Sequence, residues 1–398
     1  MASLLTFEEA QERVLAAVAL LPVELVPIAE AGGRVVAEDV QARVDLPPFA
    51  SSAMDGFAVR AADLPATLSI AGESAAGSPF AGRLEPGTAA AISTGAVVPT
   101  GADTVVPVER VVVKDNKVEI STQPEAGANV RPRGGDTAVG DLVVSAGSQL
   151  TAARIAAAAA SGIAALPCAR RPRVAVLATG SELVAPGEAL REGQIYESNT
   201  VMLGSALAGS GAEVEPFAPA ADDEEALRRA LEQGLAADVL VTSGGVSVGE
   251  HDLVRAVERE LGVEEVFWRV AMKPGKPISF GVRGKTLVFG LPGNPVSALV
   301  GCELFVKPAL RALQGLTDPL PRFEPGRLST EVRRDAERDE FLRAGSRVDG
   351  DSVVLEPVTG QESHMIVRSS AADALVYVPR GNGELAAGSV VRWLPLGG

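Results

Sequence analysis

The chain has 398 residues, 46% of them hydrophobic, and a formal net charge of −15 at pH 7. That length exceeds one ordinary core, so two to four domains are expected, and the acidity argues against nucleic acid or an anionic membrane as a general partner. Two cysteines, Cys168 and Cys302, and two histidines, His251 and His364, support neither a disulfide framework nor a cysteine or multi-histidine metal site. Any metal is therefore expected to be a hard, oxygen-bound ion such as magnesium. Met1–Leu21 lacks the basic start and apolar run of a signal peptide, and the alanine-rich Thr151–Leu166 is too short to span a bilayer, so a cytoplasmic protein is expected.

Thr6–Leu20 has helical spacing, with Thr6 as N-cap and Glu9 three residues on. From about Val35 to Val144 short apolar runs alternate with Gly, Pro, Asp and Asn, which reads as a β-rich module. Thr151–Ala165 reads as a helix that Pro167 ends. From Arg173 the pattern changes to strands alternating with helices: strands at Val174–Ala178, Val214–Phe217, Asp238–Thr242, Phe267–Ala271 and Thr286–Gly290, helices at Asn199–Ser210, Glu224–Leu235, Leu253–Leu261 and Pro295–Leu313. This predicts a doubly wound parallel sheet whose ligands sit at the carboxyl ends of the strands. After Pro321 the short strands return, giving a C-terminal β-barrel-like domain. The fold class is multidomain, α/β plus β.

The loops after the strands carry the chemistry. In Ser243-Gly-Gly-Val-Ser-Val-Gly-Glu-His-Asp252 a buried strand breaks into glycines and then a helix, an arrangement that lets backbone N–H groups and the helix end face a phosphate. Glu250 and Asp252 beside such a cradle either cap the helix or hold a metal ion. Thr179-Gly-Ser-Glu182 reads equally as a capped turn or a site, and the acids of Ala221-Asp-Asp-Glu-Glu225 suit a helix N-terminus. In Leu291-Pro-Gly-Asn-Pro-Val-Ser297 two prolines lock a Gly-Asn turn against a helix start. Met272-Lys-Pro-Gly-Lys-Pro277 can aim Lys273 and Lys276 the same way, as an oxyanion requires. In the β-rich module, Asp55, Thr94-Gly95 and Asp136 read individually as turn residues.

Together these segments resemble the molybdopterin molybdenumtransferase family (MoeA and the E domain of gephyrin). The resemblance rests on Ser52-Ala-Met-Asp-Gly-Phe57, Thr94-Gly95, Thr179-Gly-Ser-Glu-Leu183, Ser243 to Glu250 with Asp252, Lys273-Pro-Gly-Lys-Pro277 and Leu291 to Ser297, in family order over essentially the whole chain. Phe57 stands where the family often has tyrosine. The resemblance implies an elongated homodimer of four-domain subunits, here divided as 1–45 with 140–170, 46–139, 171–318 and 319–398. It implies insertion of molybdenum from molybdate into adenylylated molybdopterin, with magnesium assisting and AMP released. A transient contact with the molybdopterin adenylyltransferase is a further implied partnership.

By match to family motifs, Asp55, Thr94, Asp136, Glu182, Asp222 and Asp252 are the functional polar residues, with Asp252, Glu182 and Asp222 as metal ligands. Lys273, Lys276, Ser297 and Arg343 would bind molybdate. Gly244, Gly245, Ser247, Gly249, Pro292, Gly293 and Asn294 would form the substrate cradle. Asp55 and Asp136 fall in a different domain, so a cleft shared between domains or subunits is expected. A non-catalytic molybdopterin-binding scaffold would keep this fold without needing the acids. An adenylyltransferase or nicotinamide-nucleotide amidase would share the α/β domain but would leave both β-domains unexplained.

Overall fold

Thr6 opens the first helix, Phe7–Ala16, through a capping box: the Glu9 amide donates to Thr6 Oγ1 at 3.1 Å and the Thr6 amide donates to Glu9 Oε2 at 2.8 Å. The computed structural model describes residues 4–217, 223–245 and 253–396. Phe7, Ala10 and Val14 enter the same apolar core as the α/β sheet and the C-terminal barrel, and Phe7 meets Phe341 and Tyr377 edge-on at 5.1 and 5.3 Å. Val23–Pro27 then pairs antiparallel with Ala165–Ala169, and Val40–Gln41 with Leu142–Val144. These pairings bring two distant stretches of chain around the core of Val26, Val36, Leu150 and Leu166. The Leu142–Val144 run therefore joins this unit rather than the β-rich sheet.

The β-rich module is a six-stranded mixed sheet in the order Thr104–Pro107, Gly56–Val59, Thr88–Ile92, Ala66–Ser74, Lys117–Ile120 and Val112–Lys114. The α/β sheet runs Glu213–Pro216, Arg173–Ala178, Val239–Ser243, Thr286–Leu291, Ser279–Arg283 and Glu264–Trp268. Its first four strands are parallel, Ser279–Arg283 runs opposite to them, and Glu264–Trp268 pairs antiparallel with Ser279–Arg283. The strand order reverses beside Arg173–Ala178, between its neighbours Glu213–Pro216 and Val239–Ser243. The crevice outside the strand ends there is where such sheets bind ligands.

The sequence predicts a strand through Phe267–Ala271, but the observed strand ends at Trp268 because Arg269 adopts a positive φ of 77°. The predicted helix Pro295–Leu313 is one continuous element with a wider, π-type stretch at Cys302–Val306. Pro308 explains part of that shape. It has no N–H for the carbonyl four residues back, Leu304, and that buried oxygen instead accepts from Gln11 Nε2 at 2.7 Å.

Five strands close the C-terminal barrel: Glu324–Leu328, Asp339–Asp349, Ser352–Pro357, Ala374–Val378 and Val390–Pro395. Met272–Lys273 adds to it as a parallel strand beside Asp339 and Glu340. The lysine turn is thereby stitched between the α/β sheet and the barrel. Among the described residues, no helix is long and apolar enough to cross a membrane.

Candidate functional site

Three of the predicted loops meet at one sheet edge around a cavity of about 570 Å³. Thr179 and Glu182 line it from the end of Arg173–Ala178, Ser243–Gly245 from the end of Val239–Ser243, and Pro292–Asn294 from the end of Thr286–Leu291. The loops are joined by backbone bonds, Thr179 N–H to the Ser243 carbonyl at 3.0 Å and Gly244 N–H to the Leu291 carbonyl at 3.1 Å. Gly245 has φ 66°, and a Cβ there would lie 2.3 Å from Val254 Cγ2, so only glycine permits the following helix to pack this closely.

Sequence reasoning missed the residue that ties the loops together. Asn199, 8% exposed, donates through Nδ2 to Ser243 Oγ and to the Gly293 carbonyl, both at 2.8 Å. Its Oδ1 and the Thr179 hydroxyl are buried without a hydrogen-bond partner among the described residues. Glu197, also buried on this wall, accepts from the amide and hydroxyl of Thr200 and so caps the start of the Asn199–Ala208 helix. The only available signal was an Asn with a nearby acid at a helix start, which reads as ordinary capping.

The barrel supplies the opposite wall. Asn294 Nδ2 donates to Ser363 Oγ at 2.9 Å and the Val296 amide to the Ser363 carbonyl at 3.1 Å, which brings His364 into the cavity lining. Arg343 is 1% exposed and acts on the same loop. It donates to the carbonyls of Met365 and Gly360 and to Ser369 Oγ at 2.6 Å, and burial lowers its pKa. Its guanidinium thus faces the loop that carries His364 and does not line the cavity. Ser297, 4% exposed, lies one turn into its helix and is likewise not in the lining.

The two lysines separate. Lys273 Nζ pairs with the buried Glu340 at 2.7 Å. Lys276 is exposed next to Pro277, which lines the cavity, and its ammonium has no ion-pair or hydrogen-bond partner among the described residues. Glu182 is also exposed, with its carboxylate turned back over Gly180. Among the described residues no three acidic, histidine or cysteine side chains converge into a metal cage. Asp222, Ser247, Gly249 and Asp252 lie outside the described residues.

The β-rich module holds a second polar group. Asp55 Oδ1 accepts from the Thr94 amide at 2.6 Å and the Thr94 hydroxyl at 3.0 Å, and these bonds hold its carboxyl below the usual range. Gly56 follows because a Cβ there would lie 2.0 Å from the Val106 carbonyl oxygen of the neighbouring strand. Asp136 is exposed beyond the Val130–Arg131 strand, its amide bonded to the Leu46 carbonyl at 2.8 Å. Neither acid lines the α/β cavity, so within one chain the cleft is shared with the barrel and not with the β-rich module.

A doubly wound sheet with a polar cavity at its strand ends, walled by a closed barrel, defines an α/β ligand-binding protein of composite architecture. The descriptions matched along the chain are MoeA N-terminal region (domain I and II) at residues 5–162, probable molybdopterin binding domain at 175–312 and MoeA C-terminal region (domain IV) at 325–396. The chain belongs to the molybdopterin molybdenumtransferase family of MoeA type. Molybdopterin molybdenumtransferase 2 of Mycobacterium tuberculosis (strain ATCC 25618 / H37Rv) is 39% identical over 382 residues, 92% of this chain and 93% of that one. The molybdopterin molybdenumtransferase of Haemophilus influenzae is 35% identical over 98% of each chain. The crystal structure of a molybdopterin biosynthesis MoeA protein from Pyrococcus horikosii is 34% identical, with a TM-score of 0.84 over 100% of both chains.

Proposed function

We propose that this chain transfers molybdenum from molybdate to molybdopterin presented as its adenylylated form, with release of AMP, in molybdenum cofactor biosynthesis. The observation that carries the reading is the cavity at the switch point, in a chain 39% identical over 92% of its length to a molybdopterin molybdenumtransferase. Gly244, Gly245 and Gly293 present backbone to a phosphate or pterin edge without side-chain obstruction. Lys276 is the cation available for molybdate, a compact dianion, whereas the Lys273 charge is committed to Glu340. Arg343 contributes as a positioning residue, by fixing the loop that carries His364.

Magnesium suits a wall whose donors are oxygens: the Glu182 carboxylate, Asn199 Oδ1 and Thr179 Oγ1. Glu182 would hold it, with Asp222 and Asp252 as the further ligands that the family resemblance implies. When bound, the ion supplies charge neutralisation at the phosphoanhydride. The chain's own part is to hold the pterin between the glycine loops and the barrel loop, and to orient water through a carboxylate.

The active protein in this proposal is a homodimer. The Ala152–Ala160 helix buries only Ala158 fully, and Ala153, Ala156, Ala157 and Ala160 form one outward apolar stripe by helical spacing. A partner covering such stripes could also bring Asp55, Thr94 and Asp136 to the cavity of the other subunit.

The direct test incubates the protein with adenylylated molybdopterin, molybdate and magnesium, and follows AMP and active cofactor. Lys276→Ala should weaken the molybdate dependence by about tenfold or more while pterin binding persists. Unchanged molybdate dependence rules out the lysine's role, and no AMP release by the unaltered protein rules out the reaction.

A further inference from the structure

A second cavity, larger than that of the candidate site, opens elsewhere in the molecule. About 820 Å³ in volume, it lies where the N-terminal unit, the α/β unit and the last barrel strand meet. Its walls include Gly32–Gly33 and Gly147–Gln149 from the first, Gly209–Gly211 and the end of the Lys307–Leu313 helix from the second, and Leu394–Pro395 from the third. Across its floor runs a buried ion pair, Lys307 Nζ to Glu303 Oε1 at 2.6 Å.

The charge here opposes that of the molecule. Five cationic and two acidic side chains line the cavity, in a chain whose net charge is −15. Each acid is already neutralised by one of the five, Glu303 by Lys307 and Asp318 by Arg322. Arg154, Arg171 and Arg311 remain without a carboxylate partner among the described residues. Arg154 and Arg171 each give one N–H to a backbone carbonyl, of Gln149 and Gly211, and Arg311 gives none to any described residue. Arg171 Nη1 and Gln314 Oε1 both border the open space over Gly211, 3.6 and 4.0 Å from where a Cβ would stand.

We propose that this junction is a binding site for a multiply charged anion of the phosphate class. Three guanidinium groups with unused N–H donors in one recess match two adjacent phosphoryl groups, which accept bidentate hydrogen bonds. No aromatic residue among the described ones lines the cavity, so they offer no platform for a nucleobase and the phosphates carry the recognition. The site lies beside the joint between units, where the Thr317 amide donates to the Gly147 carbonyl at 3.1 Å and the Leu21 amide to that of Leu313 at 2.9 Å. A bound anion therefore ties the N-terminal unit to the α/β unit and raises the melting temperature, increasingly with the logarithm of its free concentration above the dissociation constant.

The probe is inorganic pyrophosphate, titrated calorimetrically and by thermal melting against the full-length protein, Lys276→Ala and Arg311→Gln. Arg311 makes no side-chain bond to the described residues, so replacing it tests binding with little effect on folding. Arg154→Gln, at an exposed position, is the second variant. Pyrophosphate is expected to bind Lys276→Ala as it binds the unaltered protein, and to bind each arginine variant about tenfold more weakly. AMP is expected to bind more weakly than pyrophosphate. Equal pyrophosphate affinity in both arginine variants, complete loss in Lys276→Ala, or AMP binding tighter than pyrophosphate would each overturn the assignment.

Discussion

At the scale of single residues, shared motifs conceal divided labour. Lys273 and Lys276 flank one Pro-Gly turn, but Lys273 closes an ion pair with Glu340 at the barrel and Lys276 has no partner among the described residues. Asp55 and Thr94 are 39 positions apart and form one hydrogen-bonded unit. The Thr94 amide and hydroxyl stabilise the ionised Asp55 carboxylate, so its folded pKa lies below the unfolded value of about 3.9. Any stability linked to this group is fully present above that unfolded value and is lost as pH falls through the lower, folded one. Asp55 is therefore a fixed negative charge throughout the neutral range and contributes no titration step there. In Thr94→Ala the amide bond remains and the hydroxyl bond is lost, so the Asp55 pKa should rise towards 3.9 without reaching it. Carboxyl-detected NMR titration of the two proteins reads this, and an unmoved midpoint would show that the hydroxyl does not matter.

At the scale of elements, the long helix ending at Leu313 shows how a local defect is repaired from far away in the chain. Pro308 deprives the Leu304 carbonyl of a helical donor, and Gln11, from the first helix, donates to it inside the core. Replacing Gln11 by leucine should cost about 1–3 kcal/mol, because the carbonyl is left buried and unpaired. Pro308→Ala restores an N–H in the helix, so the Gln11→Leu penalty should shrink in that background. A double-mutant cycle by urea denaturation measures the difference. If the two changes are additive, the bond does not compensate the proline. Periodicity alone extends a helix across Pro295–Leu313; it carries no information about which distant side chain serves a carbonyl that proline leaves free.

At the scale of the whole molecule, the proposed homodimer would cover the exposed alanine stripe and set Asp55 against the cavity of a second copy of the chain. Sedimentation of the unaltered protein should give a dimer. Ala157→Glu, at the middle of the stripe, would place a carboxylate in that interface and should shift the equilibrium to monomer with little change in monomer folding. A monomeric unaltered protein, or a variant that remains fully dimeric, would remove this helix from the interface.

Much of the α/β architecture was legible because strand and helix differ in hydrophobic period and because glycine loops after strands must lie at the carboxyl edge of a parallel sheet. Thr179, Glu182, Gly244, Gly245 and Pro292–Asn294 meet there as that rule requires. Asn199 and His364 were not legible. One reads as a helix start and the other as a lone histidine in a polar loop, and only folding brings them to the same wall. Arg343 was readable as a cation but not as a buried one. Its burial follows from closure of the barrel around a loop whose carbonyls need donors. The sequence by itself determined the elements, their order and the edge where the loops gather, since these follow from local period and chain connectivity. Tertiary structure decided which charges were left for ligands, because that depends on pairings such as Lys273–Glu340 and Lys307–Glu303 and on packing that spacing along the chain does not specify.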